Sequence, residues 1–361
     1  MTIAGLRHRR GHTLGVTLVE LMVGLAVGLF VSLIAISVFV STRTLNVVNS
    51  SGSRMGENSR LAMDLLQDDL RSAGFQGCHD TVSEPPVSVL DSAAAQAVGF
   101  LDAPGSGLAG HRGTGTAFLP ELPPALAAVS PAPDPTSDVL SVRVPADRMA
   151  YGLTATMTDN SAAPQVGAGV AGSTLRQGDI VLVASCKAAT IFQVTEPDPA
   201  ATGNLAHALA GPGFSPGNAS SDLMQRYRSD AAVYRLQTRH YYVAPSALHP
   251  GTQSLWRMTV PSPAGADNPQ EMAAGIDRLN LTWGLDTDGD QTVNRYVAAD
   301  AIDGQWDQVV SARLQMLSAT TKDGVAQAPQ TIEFAGSTFT AGDRRLRTVL
   351  TEVVTLRSRA P

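Results

Sequence analysis

The chain lacks proline before Pro85, holds only two cysteines, and carries charge on just 16% of its 361 residues. Each shortage excludes something. Without an early proline, nothing of that kind breaks one long helix upstream of residue 85. Two cysteines, Cys78 and Cys186, allow a single intramolecular pairing. No Cys-His-Asn pattern accompanies them, and Cys186 sits between Ser185 and Lys187, so a cysteine nucleophile is not indicated. Low charge leaves the surface to Ser, Thr, Gly and Asn, while 43% hydrophobic residues suffice for a sizeable core. The seven histidines show neither HExxH nor another paired metal spacing, and His79 beside Cys78 reads as a loop histidine. A G-x-S-x-G elbow, a P-loop and a dinucleotide fingerprint are also missing, so catalysis is not expected.

What is present is concentrated near the N-terminus. Arg7, Arg9 and Arg10 lead to Gly15, and from Leu21 to Val40 twenty residues pass without a charge. As a helix this run is roughly 30 Å long, the thickness of a bilayer core. One carboxylate, Glu20, stands just inside it, and such a group is costly to insert without a partner. A plain single-pass anchor would keep Glu20 hydrated at the interface. A secretory signal peptide could use Ala35-Ile36-Ser37 as a cleavage pattern, yet such cores run about 7–15 residues and lack acids. A third reading fits best: Gly15-Val16-Thr17-Leu18-Val19-Glu20-Leu21-Met22 resembles the processing site of type IV pilins and type II secretion pseudopilins.

That resemblance implies cleavage after Gly15 by prepilin peptidase on the cytoplasmic side and N-methylation of Val16, where the family usually has Phe or Met. It also makes Glu20 the assembly residue, paired with the free amine of a neighbouring subunit's Val16. The leader arginines place the N-terminus in the cytoplasm by the positive-inside rule. Everything after about residue 41 is then periplasmic, and the inner-membrane span becomes part of an extracellular filament on assembly. Gly24 and Gly28 form a small-xxx-small pattern that permits close helix approach. In an oxidising periplasm a structural disulfide between Cys78 and Cys186 is the expected state.

Net charge is −6, and without the three leader arginines 23 basic residues face 32 acidic ones, a net −9. An acidic domain is a poor nucleic-acid binder. The cluster Arg344, Arg345, Arg347, Arg357 and Arg359 reads as a solvated strand face, since no aromatic platform accompanies it. Asn218-Ala219-Ser220 matches a glycosylation acceptor, a pattern of little weight in a bacterial periplasm.

Met63, Leu66, Leu70 and Ala73 follow 3-4-3 spacing while Asp64, Asp68 and Arg71 fall elsewhere, so the second half of the helix is amphipathic and needs a sheet to lie on. Gly74 and Gly77 end it. Residues 85–135 are rich in Pro, Ala and Gly and read as a long irregular insertion. Strands are expected over 138–144, over 178–183 and 190–194 as a pair around Cys186, and over 233–243, 279–285 and 310–316. The last, about 346–357, is apolar on parts of both faces and reads as central. The fold class is α+β, with a long N-terminal helix packed on a mostly antiparallel sheet. The divisions are a leader at 1–15, a helix at 16–77 with its span at about 17–40, and a β-rich domain at 78–361.

Four segments resemble the PilW family of minor pilins: Ala-Gly-Phe-Gln-Gly-Cys at 73–78, Gly-Asp-Ile-Val-Leu-Val at 178–183, Trp-Gly-Leu-Asp-Thr-Asp-Gly-Asp at 283–290, and the arginine-rich final strand. The resemblance implies partners: other minor pilins and the major pilin through the N-terminal helix, the inner-membrane assembly platform, and a tip adhesin. A priming complex at the pilus tip would be its place, with adhesion and motility as downstream associations. The alternatives are a type II secretion pseudopilin and a membrane-anchored periplasmic binding module that never polymerises. Asp286, Asp288 and Asp290 lie at i, i+2 and i+4 and make a candidate Ca²⁺ loop like the first half of an EF-hand. Gln291 and Val297 stand where the EF-hand glycine and closing glutamate would be, which favours an ordinary hairpin turn.

Overall fold

The computed structural model describes residues 16–78, 85–102, 107–169, 174–209, 211, 213–263 and 265–356. Two compact units divide between Ser51 and Gly52. One helix, α1 (Leu18–Ser72), provides the regular structure of the first unit and continues into the second. In the first unit no described residue is buried, and Leu21, Phe30 and Phe39 among many others are exposed. By length and composition this helix could cross a membrane. Its few hydroxyls suit that environment: Ser32 Oγ and Thr42 Oγ1 donate to the carbonyls of Gly28 and Val38 at 2.7 and 2.8 Å. Those bonds hide polar groups that lipid could not satisfy.

In the second unit α1 becomes amphipathic, and Ala62, Met63, Leu66 and Leu70 are buried along one stripe. The helix ends at Ser72, a little short of the predicted residue 77, because Gly74 turns the chain through φ +70°, a region glycine enters without strain. A ten-stranded sheet follows, made of β1 (Val87–Ser88), β2 (Leu108–Gly113), β3 (Phe118–Leu119), β4 (Val139–Pro145), β5 (Tyr151–Gly152), β6 (Ile180–Ala184), β7 (Ala189–Gln193), β8 (Ala232–Pro245), β9 (Gln253–Val260) and β10 (Gln270–Ala274). A second sheet joins β11 (Ile276–Leu285), β12 (Arg295–Val297), β13 (Val309–Ala319) and β16 (Arg347–Thr355) in the order β12-β11-β13-β16. A hairpin of β14 (Thr331–Phe334) and β15 (Ser337–Thr340) lies between β13 and β16 in sequence. Among these pairings only β1 with β7 is parallel, as an α+β fold of hairpins requires.

The helix stripe and both sheets share one core. Leu66 and Leu70 meet Leu140, Val142 and Val243 from the first sheet and Leu281, Trp283 and Leu314 from the second. The predicted alternation in β11 and β13 is what builds it, with Leu281 directly opposite Leu314 and Trp283 opposite Ala312. Trp283 is fully buried, and a Cβ on Gly110 would come within 2.7 Å of its ring, so only glycine lets β2 lie there. Cys78 and Cys186 form the disulfide, with Cα atoms 4.8 Å apart, tying the end of the α1 segment to the β6–β7 turn. Closing a 108-residue separation stabilises the fold by on the order of 4 kcal/mol in the chain-entropy model.

Two expectations change. The described residues of 85–135 are built into the fold: they supply β1, β2, β3, α2 (Ser92–Val98) and α3 (Pro124–Ala127), and bury Leu90, Phe100, Leu108 and Leu126. These elements run only two to seven residues, too short for periodicity to register. The final strand is not central. β16 closes one end of its sheet, and its Thr351, Glu352 and Val353 are exposed.

Asp138 pins the two sheets together. Its Oδ1 accepts from Gly113 N at 2.9 Å and its Oδ2 from Leu281 N at 2.7 Å. Burial pushes this carboxyl up to about 6, against the pull of those two amides. The folded chain thus holds the proton more tightly than the unfolded one. Its contribution to stability declines as pH rises through about 4 to 6 and is flat above. Denaturant unfolding of the full chain in detergent micelles, against Asp138→Asn, is expected to show wild type losing about 3 kcal/mol relative to the variant between pH 4 and pH 7.

Candidate functional site

The first turn of α1 carries the sequence-predicted assembly residue. Thr17 is the N-cap: Glu20 N donates to Thr17 Oγ1 at 3.2 Å, and Thr17 N donates back to Glu20 Oε2 at 2.9 Å. Thr17 Oγ1 also donates to Glu20 Oε2 at 3.0 Å. This is a capping box, in which two helix-end amides that the helix itself cannot satisfy are bonded reciprocally. Sequence reasoning passed over it, although Thr-x-x-Glu ahead of an apolar run is its signature. Within one chain, therefore, Glu20 already has a local partner. Val16 is exposed beside it, and Gly15 lies outside the described residues. Gly24 and Gly28 stand on the same helix, where a Cβ on either would touch nothing within 4 Å.

In the second unit α1 holds a carboxylate that the sequence analysis missed. Asp69 is buried, with Oδ1 at 2.5 Å from Arg239 Nη1 and Oδ2 accepting from Tyr241 Oη at 2.7 Å. Burial pushes Asp69 up and Arg239 and Tyr241 oppose it; burial and the nearby Asp69 charge push the Tyr241 phenol up as well. A signal was there to read: residues 62, 66, 69 and 73 follow a 4-3-4 spacing that shares the helical period of the 3-4-3 apolar stripe.

The arginine cluster is not the solvated strand face it was expected to be. Arg347 is buried, bonding Asp277 at 2.7 Å through Nε and Asp343 through Nη1 and Nη2 at 2.5 and 3.0 Å. Those bonds hold Asp343 down at about 2. Arg345 Nη1 donates to the Gly251 carbonyl at 2.6 Å, while Arg344 is exposed and precedes the strand. Arg357 and Arg359 lie outside the described residues. The Asn218 amide is equally committed: it is buried and donates to the carbonyls of Gln193 and Ala208 at 2.8 and 3.1 Å, which removes it as a glycosylation acceptor.

Asp286, Asp288 and Asp290 do converge, each offering an oxygen within 4.8 Å of the others in the turn from β11 to β12. The turn also satisfies them internally. Asp286 accepts from the amides of Gly289 at 2.7 Å and Gln291 at 2.8 Å, Asp290 from Thr292 at 2.8 Å, and Asp288 from Asn294 Nδ2 at 3.1 Å. Three carboxylates fit a hard cation such as Ca²⁺ in charge but fall short of the roughly six to eight oxygens it takes. The hydrogen bonds alone account for the loop's shape.

No curated protein and no solved structure matches this chain. A family match exists for residues 240–358, about a third of the chain. It runs from within β8 to just past β16 and takes in the acidic turn and the final strand; the segments at 73–78 and 178–183 lie outside it. The family is PilW, Type IV Pilus-assembly protein W, and residues 240–358 of this chain are similar to it.

Proposed function

We propose that this protein is a minor pilin that acts by assembly rather than catalysis. The observation that carries the reading is the match of residues 240–358 to Type IV Pilus-assembly protein W. The first unit supports it: an apolar helix with no buried residue needs a cover, first lipid and later the helices of other subunits. Each glycine at 24 and 28 costs a helix about 1 kcal/mol against alanine, and nothing among the described residues requires either. Close approach of a second helix does.

In this reading prepilin peptidase cuts between Gly15 and Val16 and methylates the new terminus. The protein waits in the inner membrane with its N-terminus cytoplasmic and its strand-rich unit periplasmic. It then enters a priming complex at the pilus tip with other minor pilins, on the inner-membrane assembly platform. N-terminal mass spectrometry of the mature protein tests it. N-methylated Val16 is the expected first residue; an intact Met1, or a start near Ser37, would sink the reading.

A further inference from the structure

β16 ends its sheet with an edge that pairs with no other strand among the described residues. Its register with β13 runs from Ser311↔Thr355 to Ala319↔Arg347 without a shift, so it is a continuous strand of nine residues with no bulge and no proline. Two bonds fix the phase: Leu356 N donates to Val310 O at 2.9 Å, and Thr320 N to Leu346 O at 2.8 Å. Even-numbered residues of β16 therefore bond to β13, and odd-numbered ones turn their amides and carbonyls outward. Arg347 N is taken by Gln330 Oε1 at 2.6 Å. Val349, Thr351, Val353 and Thr355 are left with outward groups that have no partner. Natural edges of this length are usually blunted by lysine, proline or a bulge; β10 has such a bulge between Glu271 and Ala273, and β12 has only three residues.

We infer that this edge receives an added β-strand from a different polypeptide, one carrying Lys or Arg opposite Glu352. Evenly spaced outward amides and carbonyls are matched by another extended backbone, as in β-strand addition. The choice of a foreign strand comes from charge. Glu352 is exposed on the same face as Leu350 and Val354 and has no ion pair among the described residues. In a self-pairing centred on Thr351, which uses the whole edge, Glu352 of each copy stands opposite Leu350 of the other. The two carboxylates are then one diagonal apart, about 7–8 Å, with nothing to neutralise them. A strand bearing a cation at that position removes the conflict. On the opposite face Val349 and Val353, the latter 51% exposed, favour β-branched residues in the incoming strand.

The inference does not rest on filament assembly, because it can be scored in membranes before any incorporation. A photo-crosslinking p-benzoylphenylalanine at position 353 of the full-length chain, in the cells that make it, is the probe, with position 338 on the β14–β15 hairpin as control. The expected product is an adduct with another polypeptide whose crosslinked segment carries Lys or Arg within a few residues. Thr351→Pro removes only an outward amide, so it should lower the adduct about tenfold or more while the thermal midpoint and the disulfide persist. Glu352→Lys should lower it similarly and guards against a folding defect in the proline variant. No adduct at 353, an adduct indifferent to both substitutions, or an adduct of two copies of this chain would each overturn the inference.

Discussion

Glu20→Gln is expected to cut recovery of the protein in sheared filaments by about a hundredfold relative to its level in membranes, although the variant inserts normally. The two roles open to Glu20 predict different outcomes. If it only caps α1, glutamine serves nearly as well, since its amide oxygen can still accept from Thr17 N, the bond now made at 2.9 Å. Glu20→Val, which removes that acceptor, would then be the only harmful change and would cost about 1 kcal/mol of helix stability. If the carboxylate pairs with the amine of a neighbouring Val16 in a water-poor filament, its loss leaves that amine uncompensated. Breaking such a pair costs about 3–5 kcal/mol, and glutamine is then as harmful as valine. Quantitative mass spectrometry of sheared and membrane fractions separates the cases. Normal recovery of Glu20→Gln would confine Glu20 to the capping box and withdraw it from subunit docking.

The sequence was legible where a pattern was long. Twenty uncharged residues gave the apolar half of α1, and the 3-4-3 spacing gave the buried stripe. Alternation over Leu279–Leu285 and Val310–Met316 gave the two strands that build the core around Trp283. The β6–β7 hairpin and its cysteine were readable because an apolar run brackets a polar turn. It failed where elements are short, as in 85–135, whose order comes from partners distant in sequence: Leu108 faces Val142, and Val87 faces Thr190. Edge and centre were also misjudged for β16. The core-facing Val354 and, just past the strand, Leu356 look like residues of a central strand, and only the pairing order reveals that one side is open. Charges were the hardest to place. Arg347 reads as surface until Asp277 and Asp343, 70 and 4 residues away, close around it.

Asp69→Ala is expected to destabilise the strand-rich unit by about 3–5 kcal/mol, a large share of what a typical domain has. The substitution leaves Arg239 partly buried without its counter-charge and Tyr241 Oη, fully buried, without an acceptor. Asp69→Ala combined with Arg239→Met should lose much less, because burial opposes the charge on Asp69 in the first place and an apolar replacement of both partners is often tolerated. The carboxylate's value is then in register. Ala62, Met63, Leu66, Leu70 and Ala73 form a stripe that changes little when slid by one helical turn of about 5.4 Å. Such a slip would bring Leu66 or Ala73 to Arg239, so Asp69 tells one register from the next, as does Asn58, whose Nδ2 donates to the Ala274 carbonyl at 3.0 Å. The disulfide at Cys78 restrains the same slip from the far end of the segment. Unfolding of the single and double variants under oxidising and reducing conditions, in full-length protein, measures both. A cost under about 1 kcal/mol for Asp69→Ala would mean that packing alone sets where the helix lies.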